Sequence, residues 1–203
     1  MSEKLSNENR EIFFTSDLHF GHNKDFLYSP RGFSSVEEHD EAVIKNWNET
    51  VGPNDLVFVL GDVMMGADRE RNIDKLKRLN GKIAICRGNH DTNCKMIDYD
   101  NCPNTDQQPM GNETYANVIK IGKWEFYISH HPTIITDFNF INHGHKKFCL
   151  HGHTHSKDRF QFLSFCCYNV ALDAHNNRPV NVREIQEDLR KKMQELFAEK
   201  QKI

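Results

Sequence analysis

The chain has 203 residues, 37% of them hydrophobic, which suffices for one domain with a proper core and falls short of two full ones. Its formal charge of −3 with histidine neutral gives no global basic field for holding a nucleic-acid backbone. No apolar run reaches membrane-spanning length, the polar start MSEKLSNENR is unlike a secretion signal, and the six cysteines show no CxxC spacing, so reduced thiols and a cytoplasmic location without a membrane partner are expected.

In chain order, residues 11–16 (EIFFTS) and 55–60 (DLVFVL) read as buried strands that end at Asp17 and at Gly61-Asp62. Between them, Ser35 and Glu38 form a capping box for a helix whose Val36, Val43, Ile44 and Trp47 recur near helical spacing. A second helix covers about 68–79, with Ile73, Leu76 and Leu79 on one side and Asn80-Gly81 as its stop; the strand KIAIC then runs into Arg87-Gly88-Asn89-His90-Asp91. Residues 94–112, rich in Asn, Asp, Gln, Pro and Gly, read as a surface loop. From 117, NVIKIGKWEFYISH reads as a hairpin around Gly122-Lys123 ending at His130-His131, and FCL at 148–150 leads into His151-Gly152-His153-Thr154-His155. More strand is expected within 160–172, and then an amphipathic helix over about 182–203, with Ile185, Leu189, Met193 and Leu196 as the stripe that docks on the sheet.

The polar motifs all follow strands. Asp, His and Asn supply the mixed oxygen and imidazole donors that suit divalent Mn, Fe and Zn, and Asp17, His19, Asp62, Asn89, His130, His153 and His155 provide them from five segments. Asp17 and His19 lie two apart, which at a strand end puts both side chains on one face. No GxxxxGK or GxGxxG is present, which removes support for nucleotide-dependent phosphotransfer and dinucleotide redox chemistry.

The ordered blocks Asp17-Leu18-His19, Gly61-Asp62, Gly88-Asn89-His90-Asp91, His130 and Gly152-His153-Thr154-His155 resemble those of the calcineurin-like metallophosphoesterase superfamily. SDLHFGHNKDF, RGFSSVEEHDEAVIKNWNETVGPNDLVFVLGDV and NVALDAHNNRPVN are similar to a small bacterial and phage branch of it, so the likeness runs over about residues 11–182. The resemblance implies an α/β fold, a four-layer α/β/β/α sandwich of two mixed sheets. It also implies two divalent cations, Mn foremost with Fe, Zn or Ni as alternatives. Asp17, His19 and His155 would hold one, Asn89, His130 and His153 the other, with Asp62 between them. His130 is preferred to His131 because it follows Ser129 as the family ligand usually does, and adjacent strand residues face opposite ways.

Such a site hydrolyses phosphate mono- or diesters by attack of a hydroxide shared by the cations, with His90 as the general acid and Asp91 orienting its ring. His22, Asn23 and Arg31 are candidates for substrate contact, Arg31 through a forked pair of hydrogen bonds; Arg87 is another. The expected substrate is a phosphate-ester small molecule or nucleotide. A nuclease or nucleic-acid end-processing phosphatase is the alternative, with Lys146, Lys147, Arg159 and Phe160 as its possible groove. An alternative of another class is a non-catalytic protein-binding module on the same fold. His39, His143, His145, His151 and His175 match no block, and Asn169 and Asp173 are expected to make structural hydrogen bonds.

Overall fold

The computed structural model describes residues 10–106, 115–133, 146–161 and 166–200. Residues 107–112 of the expected surface loop, and His143 and His145, lie outside the described residues. Two four-stranded sheets carry the chain. The first has the order β3-β2-β1-β8, from Lys82–Cys86, Leu56–Leu60, Ile12–Thr15 and Val180–Asn181. Its first three strands are parallel, with Phe13 beside Val57 and Val57 beside Ile83, and β8 runs antiparallel to β1. The second has the order β4-β5-β6-β7, from Ala116–Ile121, Trp124–Ser129, Lys146–His151 and Cys167–Asn169. Here β4 and β5 form the expected hairpin, while β6 and β7 add in parallel. Both sheets are therefore mixed.

Strand β2, LVFVL, is buried on both faces, which is why its sequence is a continuous apolar run rather than an alternating one. After the short helix α1 (Asp25–Tyr28) come α2 (Val36–Thr50), α3 (Arg69–Lys77) and α4 (Asn93–Asp100), whose Val43, Ile44, Trp47, Leu76, Met96 and Tyr99 pack against Val57 and Val59, with Phe13, Ile83 and Ile85. Phe14, Phe58, Leu60 and Cys86 point the other way and meet Trp124, Phe126, Ile128, Phe148 and Leu150 of the second sheet. The sheets flanked by helices thus form the expected layered sandwich. The C-terminal helix α5 (Val182–Lys200) seats Ile185 and Leu189 in this inter-sheet core, with Met193 packed against it, as the stripe predicts.

Local signals hold with two corrections. Ser35 does cap α2, accepting from the Glu38 amide at 3.1 Å, but the Glu38 carboxylate reaches Ser34 rather than returning to Ser35, so the box closes one residue early. The stretch read as loop from residue 94 begins inside α4. Only Met96 and Tyr99 of α4 are buried, too few apolar positions to show a helical period, and tertiary contacts hold it: Tyr99 Oη bonds Asp91 at 2.9 Å and Arg69 pairs with Asp98. Within 160–172 the described strand is limited to Cys167–Asn169, followed by a 3₁₀ turn over Leu172–Ala174. No helix among the described residues is long and apolar enough to cross a membrane.

The sheets meet at one end. Ser16, just past β1, donates its hydroxyl to the Leu60 carbonyl at 2.7 Å and bridges to Ala171, while the Gly152 amide bonds the His130 carbonyl at 3.0 Å. That junction gathers the carboxyl ends of β1, β2, β3, β5 and β6, where loops can converge without breaking the packed layers.

Candidate metal centre

Every block predicted from the sequence arrives at this junction, by a different backbone geometry from the one expected. Strand β1 stops at Thr15, and Asp17 and His19 do not alternate along it; both adopt left-handed backbone, with φ of 61° and 50°. Asp62, His153 and His155 do the same, at 57°, 69° and 49°. Non-glycine residues rarely sit there, at a cost of about 1–3 kcal/mol each, so the convergence of five donor residues is held by the surrounding structure. The restraints are visible: the amides of Asp17, His19 and Phe20 bond the carbonyls of Gly61, Asp62 and Val63 at 3.0–3.1 Å, extending the β1–β2 pairing through both loops. Two glycines permit the close approach. A Cβ on Gly88 would collide with the backbone and carboxylate of Asp62, and one on Gly152 with the side chains of Ser16 and Asp17.

Each carboxylate is held by one oxygen and leaves the other for the cleft. Asp17 Oδ2 accepts the His153 amide at 2.9 Å; its Oδ1 lies 3.7 Å from His19 Nε2 and 3.6 Å from His155 Nε2. Asp62 Oδ1 accepts the His90 amide at 2.9 Å; its Oδ2 faces the Nε2 atoms of His130, His19 and His90 at 3.3, 3.7 and 4.0 Å. Asn89 Oδ1 lies 2.8 Å from His130 Nε2 and 3.0 Å from His153 Nδ1. His130 donates from Nδ1 to the Leu60 carbonyl at 2.8 Å, which turns Nε2 inward, and His155 faces the Asp173 carboxylate with Nδ1 at 3.2 Å, which does the same for its Nε2.

Two groups follow, Asp17 with His19 and His155, and Asn89 with His130 and His153, and Asp62 lies against both. Asp17 Oδ1 and His19 Nε2 are buried with no hydrogen-bond partner, an arrangement that is costly in a bare protein and satisfied by a cation between them. The donor set of carboxylate, amide oxygen and imidazole fits a divalent transition ion. The charges agree. Burial alone would raise the Asp17 carboxyl, but the imidazoles of His19, His130 and His155 hold it well below the usual carboxylate range. Burial would lower His130, yet Asp62 and Asp17 push it up to about 9: the carboxylates already favour a positive charge at this point.

The calcineurin-like phosphoesterase family profile matches residues 11–202. The chain belongs to the calcineurin-like phosphoesterases. A protein of Methanocaldococcus jannaschii is 30% identical over 178 residues, covering 85% of this chain and 88% of that one. The gene 66 protein of Mycobacterium phage D29 is 29% identical over 206 residues, 88% of this chain and 96% of its own. The crystal structure of a protein of unknown function from Aquifex aeolicus superposes with a TM-score of 0.62 at 18% identity, over 88% of this chain and 99% of that one, and so shares the fold. The family is typically dependent on divalent metals, and this member carries His/Asp clusters able to hold them.

Three residues given roles from the sequence stand elsewhere in this phosphoesterase. Arg31 is not available to substrate: its guanidinium is buried, forks onto Asp173 at 3.0 and 2.7 Å, and donates to the Asp17 carbonyl at 2.9 Å. Asp91 does not touch the His90 ring; its carboxylate accepts the amides of Asp62 at 2.7 Å, Val63 at 3.2 Å and Gly88 at 2.9 Å, and so clamps two of the blocks together. Arg87 donates to the Asp91 carbonyl at 2.7 Å and stacks on Tyr115. His22 does lie beside the site, its ring 5.2 Å from that of His19, and burial pulls it down to about 4. Asn23 is exposed on the same loop. His90 is half-exposed, with its ring at the rim of the Asp62 carboxylate.

Sequence reasoning gave His39 no role, yet His39 Nε2 accepts from Arg31 at 2.9 Å while its Nδ1 donates to Asp40 at 2.8 Å, and Asp40 in turn holds the Gly21 amide. The signal available was a polar pair, His39-Asp40, on the apolar stripe of an amphipathic helix. Asp173 was expected to hydrogen-bond structurally and does, but onto His155, which gives it a bearing on the centre.

Proposed function

We propose that this protein is a binuclear metallophosphoesterase acting on phosphate mono- or diesters of small molecules or nucleotides. Asp17, His19 and His155 would hold one divalent cation and Asn89, His130 and His153 the other, with Asp62 available to both; Mn is favoured, with Fe, Zn or Ni compatible. The observation that carries this reading is the single oxygen Asp62 Oδ2, facing imidazoles from three separate segments while its twin is tied to a backbone amide. When bound, such cations supply an acidified water and draw charge from the phosphoryl oxygens. His90 then has the remaining task. Its own amide pins Asp62, which fixes the ring at the mouth of the cluster, where half-exposure lets it hand a proton to the departing ester oxygen.

The residues named for a nuclease groove are drawn into other contacts, which favours the small-ester reading. Arg159 is engaged by Asp188 at 2.7 Å and Glu184 at 3.1 Å, Lys147 lies 3.6 Å from Glu125, and Phe160 packs edge-on to Tyr168. Five candidate donors held in left-handed backbone and turned toward one cleft favour a metal-holding site over a protein-binding module.

Release of nitrophenol from mono- and bis-nitrophenyl phosphate in Mn²⁺ tests the proposal; activity should vanish with chelator and in Asp62→Ala. His90→Ala should cost about 10²–10⁴-fold on alkyl esters and less on nitrophenyl esters, whose leaving group needs no proton. Full activity in Asp62→Ala, or no turnover of a broad ester panel by metal-loaded protein, would reject the reading.

A further inference from the structure

The fourth block offers two adjacent histidines, of which His130 is preferred from the sequence, and in a continuing strand the His131 side chain would face away from that of His130. Strand β5 ends at Ser129, however, and the chain bends there: the Ser129 hydroxyl donates to the His131 carbonyl at 2.7 Å, turning the peptide over. Both rings then fall on the same side. The His131 ring centroid lies 5.0 Å from that of His130 and 4.4 Å from that of His153. A ring nitrogen from each of His130, His131 and His153 lies within 4.8 Å of the others, so the three can address one ion. His130 is buried and His131 and His153 are exposed, which places His131 on the solvent side of that group.

We propose that His131 is a further ligand of the second cation, beside Asn89, His130 and His153; this rests on the two-cation reading above. Its consequence is an asymmetric centre. The first position has two imidazoles, His19 and His155, alongside carboxylate oxygen, and suits Mn; the second, with three, favours the ions that imidazole binds best, Zn, Ni or Co.

The test uses the full chain freed of metal by chelator and titrated with Co²⁺, in wild type and in His131→Ala. His131 is exposed, so the variant should fold, and far-UV circular dichroism checks that it does. Wild type should bind two equivalents. In the variant the weaker or stronger step assigned to the second position should lose about 10–100-fold in affinity while the other is unchanged. The proton spectrum of the Co²⁺-loaded variant should lack one hyperfine-shifted imidazole resonance present in wild type. Equal affinities in the two proteins overturn the proposal, as does a weaker step with every shifted resonance retained, which would make His131 a positioning residue. Failure of wild type to bind a second equivalent instead overturns the two-cation reading itself.

Discussion

Arg31 and Asp173, 142 positions apart in sequence, form the most consequential buried pair outside the proposed ligands. Replacing Arg31 with Met removes two contacts to Asp173, one to the Asp17 carbonyl and one to His39, and leaves the Asp173 carboxylate in a site where its side chain is 8% exposed. Burial would raise that carboxyl, and only His155 and Arg31 hold it well below the usual range, so removing one partner strands a buried charge. The cost should be about 3–5 kcal/mol, more than the hydrogen bonds alone would give. Changing Asp173 to Leu in the same chain removes the stranded charge, and most of the lost stability should return. Metal binding should separate the two proteins instead. Arg31→Met keeps the Asp173 carboxylate beside His155, whereas the double variant lacks the group that orients that ring, and its Mn²⁺ affinity should fall about 10–100-fold. Urea unfolding of the metal-free proteins and calorimetric Mn²⁺ titration read the two effects separately. The reasoning fails if Arg31→Met unfolds within about 1 kcal/mol of wild type, below the range for a broken buried pair, or if the double variant binds Mn²⁺ as wild type does.

Other outcomes follow from the same geometry. Gly152→Ala should destabilise by about 1–3 kcal/mol through overpacking against Ser16 and Asp17, and metal titration should show the Asp17 position weakened with it. Asp91→Asn should cost about 1–3 kcal/mol in urea unfolding, because an amide nitrogen would confront N–H donors from Asp62, Val63 or Gly88 where an oxygen accepted them; an unchanged midpoint would deny the clamp. His175 is fully buried and its Nε2 donates to the Asn169 carbonyl at 2.9 Å; burial pulls the ring from 6.5 down to about 4, so it stays neutral folded while the unfolded chain takes up a proton. Stability is therefore present above pH 6.5 and is lost as pH falls through about 4, by up to about 3 kcal/mol, and His175→Gln should flatten that part of the curve measured by urea unfolding at stepped pH.

The seven candidate donors, the central strands and the hairpin could be picked out from the letters, because donor chemistry is a property of residue type and a buried strand is a property of a short apolar run. Helix α4 could not, since its two buried side chains give no period and its hold on the rest is through Asp91 and Arg69. The direction of Arg31 was equally closed to inspection: a basic residue on a loop reads as a phosphate contact until the fold brings Asp173 beneath it. The same holds for Asp91, whose value lies in three amides from two other strand ends. Most of all, the sequence carries no record that Asp17, His19, Asp62, His153 and His155 take left-handed backbone, or that the chain bends after Ser129. Those are local conformations that lose free energy on their own and persist because packed sheets and hydrogen bonds from distant segments enforce them. Residue identity thus specified which atoms are able to hold metal, whereas assembly of the two sheets decided where each atom points.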